Sequence, residues 1–107
     1  MAIIHVIWGN IKILDGIINS VGGEWAAGIG SGYNGSCGTI IITGGTVTAI
    51  GGQFAAGIGN GHEGSCDAIT ITKGVTKLNA NKGEYAACNS IAGASVTIED
   101  NSKVTQN

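Results

Sequence analysis

The segment GGEWAAGIGSGYNGSCGTI, from Gly22 to Ile40, returns 29 positions later as GGQFAAGIGNGHEGSCDAI, from Gly51 to Ile69. A near-verbatim repeat at a fixed period constrains a fold more than any local propensity, because each unit must stack on the next to bury its apolar face. The period runs through most of the chain. Ile11 and Ile13 return as Ile40 and Ile42, then as Ile69 and Ile71, and Val96 and Ile98 continue the series at a slightly shorter interval. The surrounding runs (NIKIL, TIIIT, AITIT, SVTIE) place Ile or Val against Thr, Lys or Asn with the period of two of a half-buried strand. Gly16, Gly45 and Gly74 follow at one offset, where a sharp turn calls for positive φ. A second short strand comes next (IINSV, TVTAI, VTKLN), then a WAAGIG, FAAGIG or EYAAC phrase.

No window shows the 3.6-residue period of a helix, so helical solenoids are disfavoured. Twenty Gly and no Pro in a 107-residue chain would suggest disorder, but 43% hydrophobic residues are enough to build a core. The fold expected is all-β: a short right-handed parallel β-helix, or β-solenoid, of about three and a half coils of ~29 residues. It forms one domain, with an N-terminal partial coil or cap at 1–10, coils at 11–39, 40–68 and 69–95, and a terminal partial coil at 96–107.

Vertical ladders follow from this reading. Ile11/Ile40/Ile69/Val96 and Ile13/Ile42/Ile71/Ile98 should be inward aliphatic stacks, with Ala27/Ala56/Ala87 and Ile29/Ile58 filling neighbouring layers. Trp25/Phe54/Tyr85 is read as an inward aromatic stack, and Glu24/Gln53/Glu84, one residue earlier, should then face outward. Cys37 and Cys66 form a ladder close enough to bond, but stacked side chains pointing the same way rarely have the right torsion, so they are read as free thiols packed as small apolar groups. The third unit writes CNSIAGAS in place of the long GIGNGHEGSCDA loop and is read as shortened.

The phrase AAGIGSG…CGTIIITGGTVTAIGG resembles the Gly-rich β-helix repeats of large bacterial cell-surface proteins, and it is similar to parallel β-helix modules classed as carbohydrate-binding. The resemblance spans roughly Ile11 to Gly59. It implies an extracellular or cell-surface setting, as part of a longer chain, and it carries no catalytic residue onto any position here. The first residues lack the basic and small-residue signals of a leader peptide, so a cytoplasmic setting stays open.

Several chemistries are disfavoured. Five Lys, no Arg and a net charge of −2 give no basic stripe for nucleic acid. No stretch is long and apolar enough for membrane insertion. The GIGSG and GIGNG segments lack the spacing of a phosphate loop and are read as corners. Thr46–Thr48 and Thr70–Thr72 are too irregular across coils for an ice-binding array. No cofactor and no metal is expected, although His62, Glu63 and Asp67 lie close in sequence.

Tyr33-Asn34 and His62-Glu63 occupy one loop position on successive coils and are the most variable part of the repeat. Variation on a fixed frame is where a solenoid carries recognition. The expected ligand-binding residues are Tyr33, Asn34, His62 and Glu63, with Glu24, Gln53 and Glu84 beside them, and the expected partner is a glycan. Two alternatives stand. One is a purely structural, self-assembling solenoid: Ile3–Trp8 is apolar and β-prone, so Ile4, Val6 and Trp8 are candidates for homo-oligomer contact at an exposed coil end. The other is a fragment of a polysaccharide-processing enzyme, since carboxylates two rungs apart stand about 9–10 Å from each other, near the separation in inverting glycosidases. The non-catalytic module is the leading reading.

Overall fold

The computed structural model describes residues 10–107 in full and Ile3–Ile7 by their backbone. Strand β1 (Ile3–Ile7) opens the chain. The first coil carries β2 (Asn10–Asp15), β3 (Ile17–Val21), β4 (Ile29–Gly30) and β5 (Ser36–Cys37). The second repeats them as β6 (Ile40–Ile42), β7 (Thr46–Ile50), β8 (Ile58–Gly59) and β9 (Ser65–Cys66). The third has β10 (Ala68–Ile71), β11 (Lys77–Asn81) and β12 (Ile91–Ala92). The chain closes with β13 (Ser95–Ile98), a 3₁₀ turn at Asn101–Lys103 and β14 (Val104–Gln106).

Equivalent strands of successive coils pair in parallel, in the orders β2-β6-β10-β13, β3-β7-β11-β14, β4-β8-β12 and β5-β9. The chain is therefore a β-solenoid of about three turns. The register is the one the repeat predicts: Ile11 pairs with Ile40, Ile40 with Ile69 and Ile69 with Val96. Ile13, Ile40, Ile42, Ile69 and Ile71 are almost completely buried, as are Val47 and Leu78 on the facing sheet. Two aliphatic sheets closing on each other remove several large side chains from water, each worth about 1.5–3 kcal/mol. The ladder is less covered at β13, the edge strand of this sheet among the described residues, where Val96 is exposed.

Strand β1 runs antiparallel to β2, pairing Ile4 with Ile13 and Val6 with Ile11. It does not follow the coil path but folds back as a hairpin along the outer edge of the first sheet, occupying backbone groups that would otherwise template pairing. Trp8, of the segment expected to self-associate, lies outside the described residues, and Ile4 and Val6 are described by their backbone alone.

The third coil departs from the repeat in two places. Lys77–Asn79 pairs with Thr46–Thr48, so the strand begins two residues later than the repeat suggested. The extra residues enlarge the preceding turn. Gly16 and Gly45 take positive φ there (112° and 91°), as expected, but Gly74 does not, and Val75 turns inward to be buried instead. The second departure is the missing loop. Ile91 pairs with Ile58 and Ser95 with Ala68, so four residues span what ten span in the second coil. Ala87, expected in an inward layer with Ala27 and Ala56, is consequently exposed.

Candidate functional site

The aromatic ladder lies on the outside, which corrects its expected place in the core. Gly23–Ala26, Gly52–Ala55 and Gly83–Ala86 are four-residue turns, each closed by a hydrogen bond from the last N–H to the first carbonyl (3.0, 3.2 and 3.2 Å). Glu24-Trp25, Gln53-Phe54 and Glu84-Tyr85 are the central pairs of these turns. Strand alternation does not apply in a turn, so the acid and the ring both project outward. Ala27, Ala56, Ile29 and Ile58 already fill the interior behind them. A Cβ on Gly52 would sit on the Gly23 carbonyl, and that close approach lets the turns stack one coil apart.

The rings consequently form a column. Trp25 and Phe54 stack with centroids 4.4 Å apart and planes 11° from parallel, and Tyr85 follows 5.7 Å from Phe54 at 30°. Beside them stands a second column from the variable loops, where Tyr33 and His62 are nearly parallel with centroids 5.8 Å apart. The His62 ring joins the two columns, 5.0 Å from Trp25 and 5.4 Å from Phe54, and the His62 backbone N–H donates to the Trp25 carbonyl (2.9 Å). The Asn34 N–H donates in turn to the His62 carbonyl (2.8 Å). Trp25 is 40% exposed, Tyr33 58% and Tyr85 59%. Phe54 and His62 are half-buried between them, so five aromatic side chains form one continuous ridge on the surface.

The variable loops are held from beneath. Gly32–Gly35 and Gly61–Gly64 are turns closed at 3.1 and 3.0 Å, with Asn34 and Glu63 at φ 53° and 55°. Buried Ser31 accepts from the Gly61 N–H (2.9 Å), and the Asn60 side chain accepts from the Cys66 N–H (2.8 Å). Cys37 and Cys66, expected as free thiols, are joined in a disulfide. Their parallel pairing brings the Cα atoms to 4.5 Å, inside the range a disulfide spans. The bond ties the first loop to the second three residues after Asn34 and Glu63.

Where the third coil lacks its loop, an open recess of about 180 Å³ lies against the second loop, lined by Phe54, Asn60, His62, Glu63, Ala87 and Cys88 among others. Cys88 is the free cysteine. Burial pushes its thiol above the ordinary range, against weaker downward pulls from its backbone hydrogen bond and the Lys82 ammonium. It is therefore a thiol rather than a thiolate at neutral pH.

Of the residues singled out in the sequence, Tyr33, Asn34, His62 and Glu63 come together in the loops. Glu24, Gln53 and Glu84 flank the ring column, all exposed. Trp25, Phe54 and Tyr85 were missed as surface residues. A usable signal was present: one ladder position carries three rings of different volume and polarity, which a close-packed core tolerates poorly. Among the described residues no group of three or more His, Cys, Asp or Glu side chains is placed to hold a metal, and no helix is long and apolar enough to cross a membrane. No family model, curated protein or solved structure matches the chain.

Proposed function

We propose that this chain is a non-catalytic, extracellular or cell-surface β-solenoid module that contacts glycan through the ridge of Trp25, Tyr33, Phe54, His62 and Tyr85. The observation that supports this is a continuous group of five aromatic side chains on the outside of the coils, with Trp25, Tyr33 and Tyr85 exposed and Phe54 and His62 half-buried between them. A soluble protein normally buries such rings, and a contiguous exposed group marks an interaction surface. Stacked within each column, the rings offer edges along the ridge and open faces at its ends. Glu24, Gln53 and Glu84 alongside supply acceptors for hydroxyl groups. The Cys37–Cys66 disulfide supports the extracellular setting, since such bonds persist in oxidising compartments.

Titration of the 15N-labelled protein with a panel of oligosaccharides tests this reading. Amide shifts grouped on Gly23–Ala26, Gly32–Gly35 and Gly61–Gly64, lost in Trp25→Ala, are expected. A panel in which no sugar moves those amides would sink it.

A second reading, a self-assembling solenoid, draws on a separate observation. The outer edge of β3 has no partner strand among the described residues, and Ile17 and Val21 on it are 76% and 71% exposed. Light scattering separates the two: a defined oligomer dissociated by Ile17→Lys would favour assembly, and a monomer would remove it.

A further inference from the structure

We infer that the recess beside the second loop is a subsite for a single amine-bearing pyranose ring. The inference rests on the proposed carbohydrate function and narrows it to one place and one class of sugar.

The recess exists because the third coil omits the loop. Tyr33 covers one side of His62, from the first coil. The third coil carries no ring at that position, so the other side of His62 borders the recess together with Phe54. Two aromatic side chains at an angle of 56° make a corner into which the apolar face of a pyranose fits. At about 180 Å³ the space lies below the ~300–1,000 Å³ of drug-sized sites and suits one ring.

Charge selects the ring. Glu63 is the charged side chain on the recess wall. The segments that run from the second strand of each coil to the first strand of the next (22–39, 51–67 and 82–94) carry four carboxylates (Glu24, Glu63, Asp67, Glu84) against one lysine, Lys82. The two paired-strand segments and the closing turn carry four lysines (Lys12, Lys73, Lys77, Lys103) against three carboxylates (Asp15, Glu99, Asp100). The whole chain is only mildly acidic, so this asymmetry is local. An ammonium group on the sugar meets Glu63 and lies over the ring of Phe54, whereas a uronate is repelled. Asn60 and the backbone of Gly61–Gly64 add neutral partners for hydroxyl groups. Ala87 closes the far wall with a methyl group.

The test uses glucosamine, N-acetylglucosamine and galacturonic acid oligomers, titrated by calorimetry against the wild type, Ala87→Phe, Glu63→Gln and Trp25→Ala. Ala87 is exposed, so a Phe there fills the recess without entering the core, and an unchanged amide spectrum verifies the fold. The glucosamine oligomer is expected to bind about tenfold more tightly than the galacturonate. Ala87→Phe should weaken it about tenfold, and Glu63→Gln should erase its advantage over the N-acetyl form. Binding that survives Ala87→Phe but disappears in Trp25→Ala would overturn the subsite and leave the ridge as the glycan site. Equal or tighter binding of galacturonate would overturn the assigned sugar class. Silence from all three oligomers would count against the recess, and the wider oligosaccharide panel then decides the fate of the ridge separately.

Discussion

The second and third coils share a frame and differ in what they hang on it. On the sheet side both supply fully buried aliphatic residues, Ile40, Ile42 and Val47 in one and Ile69, Ile71 and Leu78 in the other. On the loop side the second coil carries two tight turns, Gly52–Ala55 with Phe54 and Gly61–Gly64 with His62, and a disulfide partner. The third keeps the first of these turns, as Gly83–Ala86 with Tyr85, but drops the second, and it leaves Cys88 free. The solenoid tolerates the loss because each coil pairs with its neighbours through the sheets, and the loop contributes little to that pairing. What the loss creates is a step in the surface. Deleting structure from one repeat makes the recess that no regular coil could have.

The largest loss of stability is expected in the aliphatic ladder that the coils share. Ile42 is enclosed by Ile13 and Ile71 above and below, so Ile42→Ala leaves a cavity that cannot collapse and should cost about 4 kcal/mol. Ile98 ends the same ladder and is only partly buried, and Ile98→Ala should cost about 2 kcal/mol or less. Urea unfolding of both variants checks the ratio. Equal losses would mean that the terminal coil is as tightly enclosed as the centre.

The disulfide sharpens the contrast on the loop side. It closes a 29-residue segment, so the Cys37→Ser/Cys66→Ser double variant should lose about 3 kcal/mol through the unfolded state. Because the bond lies directly behind the turns bearing Tyr33 and His62, the variant's amides at Gly32–Gly35 and Gly61–Gly64 should exchange faster. Those at Ile91–Ala92 should hardly change. Uniform acceleration would show that the bond stabilises the whole stack rather than the two loops.

Much of this frame can be derived from residue spacing. Ile11, Ile40 and Ile69 recur at a constant interval, and parallel pairing is the arrangement that keeps such residues on one inner face. Two rules then fail for local reasons. Alternation carried past Gly23 puts Trp25 inside, but Glu24 and Trp25 are the middle of a turn, where neighbouring side chains both leave the surface. Cysteines one rung apart lie within bonding reach, and the expectation that side chains pointing the same way miss the torsion of a disulfide fails at Cys37 and Cys66, whose Cα atoms are 4.5 Å apart. The hairpin of β1 had no repeat to betray it. Its sequence is apolar and β-prone, which suits an antiparallel cap as well as a partial coil. The recess was legible only as a deletion, because its walls come from two coils.

A smaller effect separates the two disulfide-linked loops. Asn34 and Glu63 occupy the same left-handed conformation, which Asn adopts readily and Glu does not. Glu63→Asn should therefore stabilise the protein by about 0.5–1 kcal/mol, seen as a higher urea midpoint with an unchanged slope. Asn34→Glu should do the reverse. If Glu63→Asn proves neutral, contacts of the Glu63 side chain offset its backbone strain, and the two loops are less alike than their φ values imply.

The smallest effect lies where the third coil gives way to the closing turn. The 3₁₀ turn is capped locally: the Asp100 carboxylate accepts from the Ser102 hydroxyl (2.6 Å) and N–H (3.0 Å). These two bonds, with a lesser contribution from Lys103, hold the Asp100 pKa below the ordinary carboxylate value against slight desolvation. A depressed carboxylate pKa gives stabilisation that is fully present above the unfolded-state pKa of about 3.9 and is lost as the pH falls through the folded one. The carboxyl carbon of Asp100 should titrate below the ordinary aspartate value, and the Ser102 amide should shift with it. Ser102→Ala removes the stronger donor and should raise the Asp100 midpoint while leaving the amides of the second coil unmoved. A midpoint that stays low in Ser102→Ala would assign the shift to the backbone N–H and Lys103, and the turn would then close without its hydroxyl.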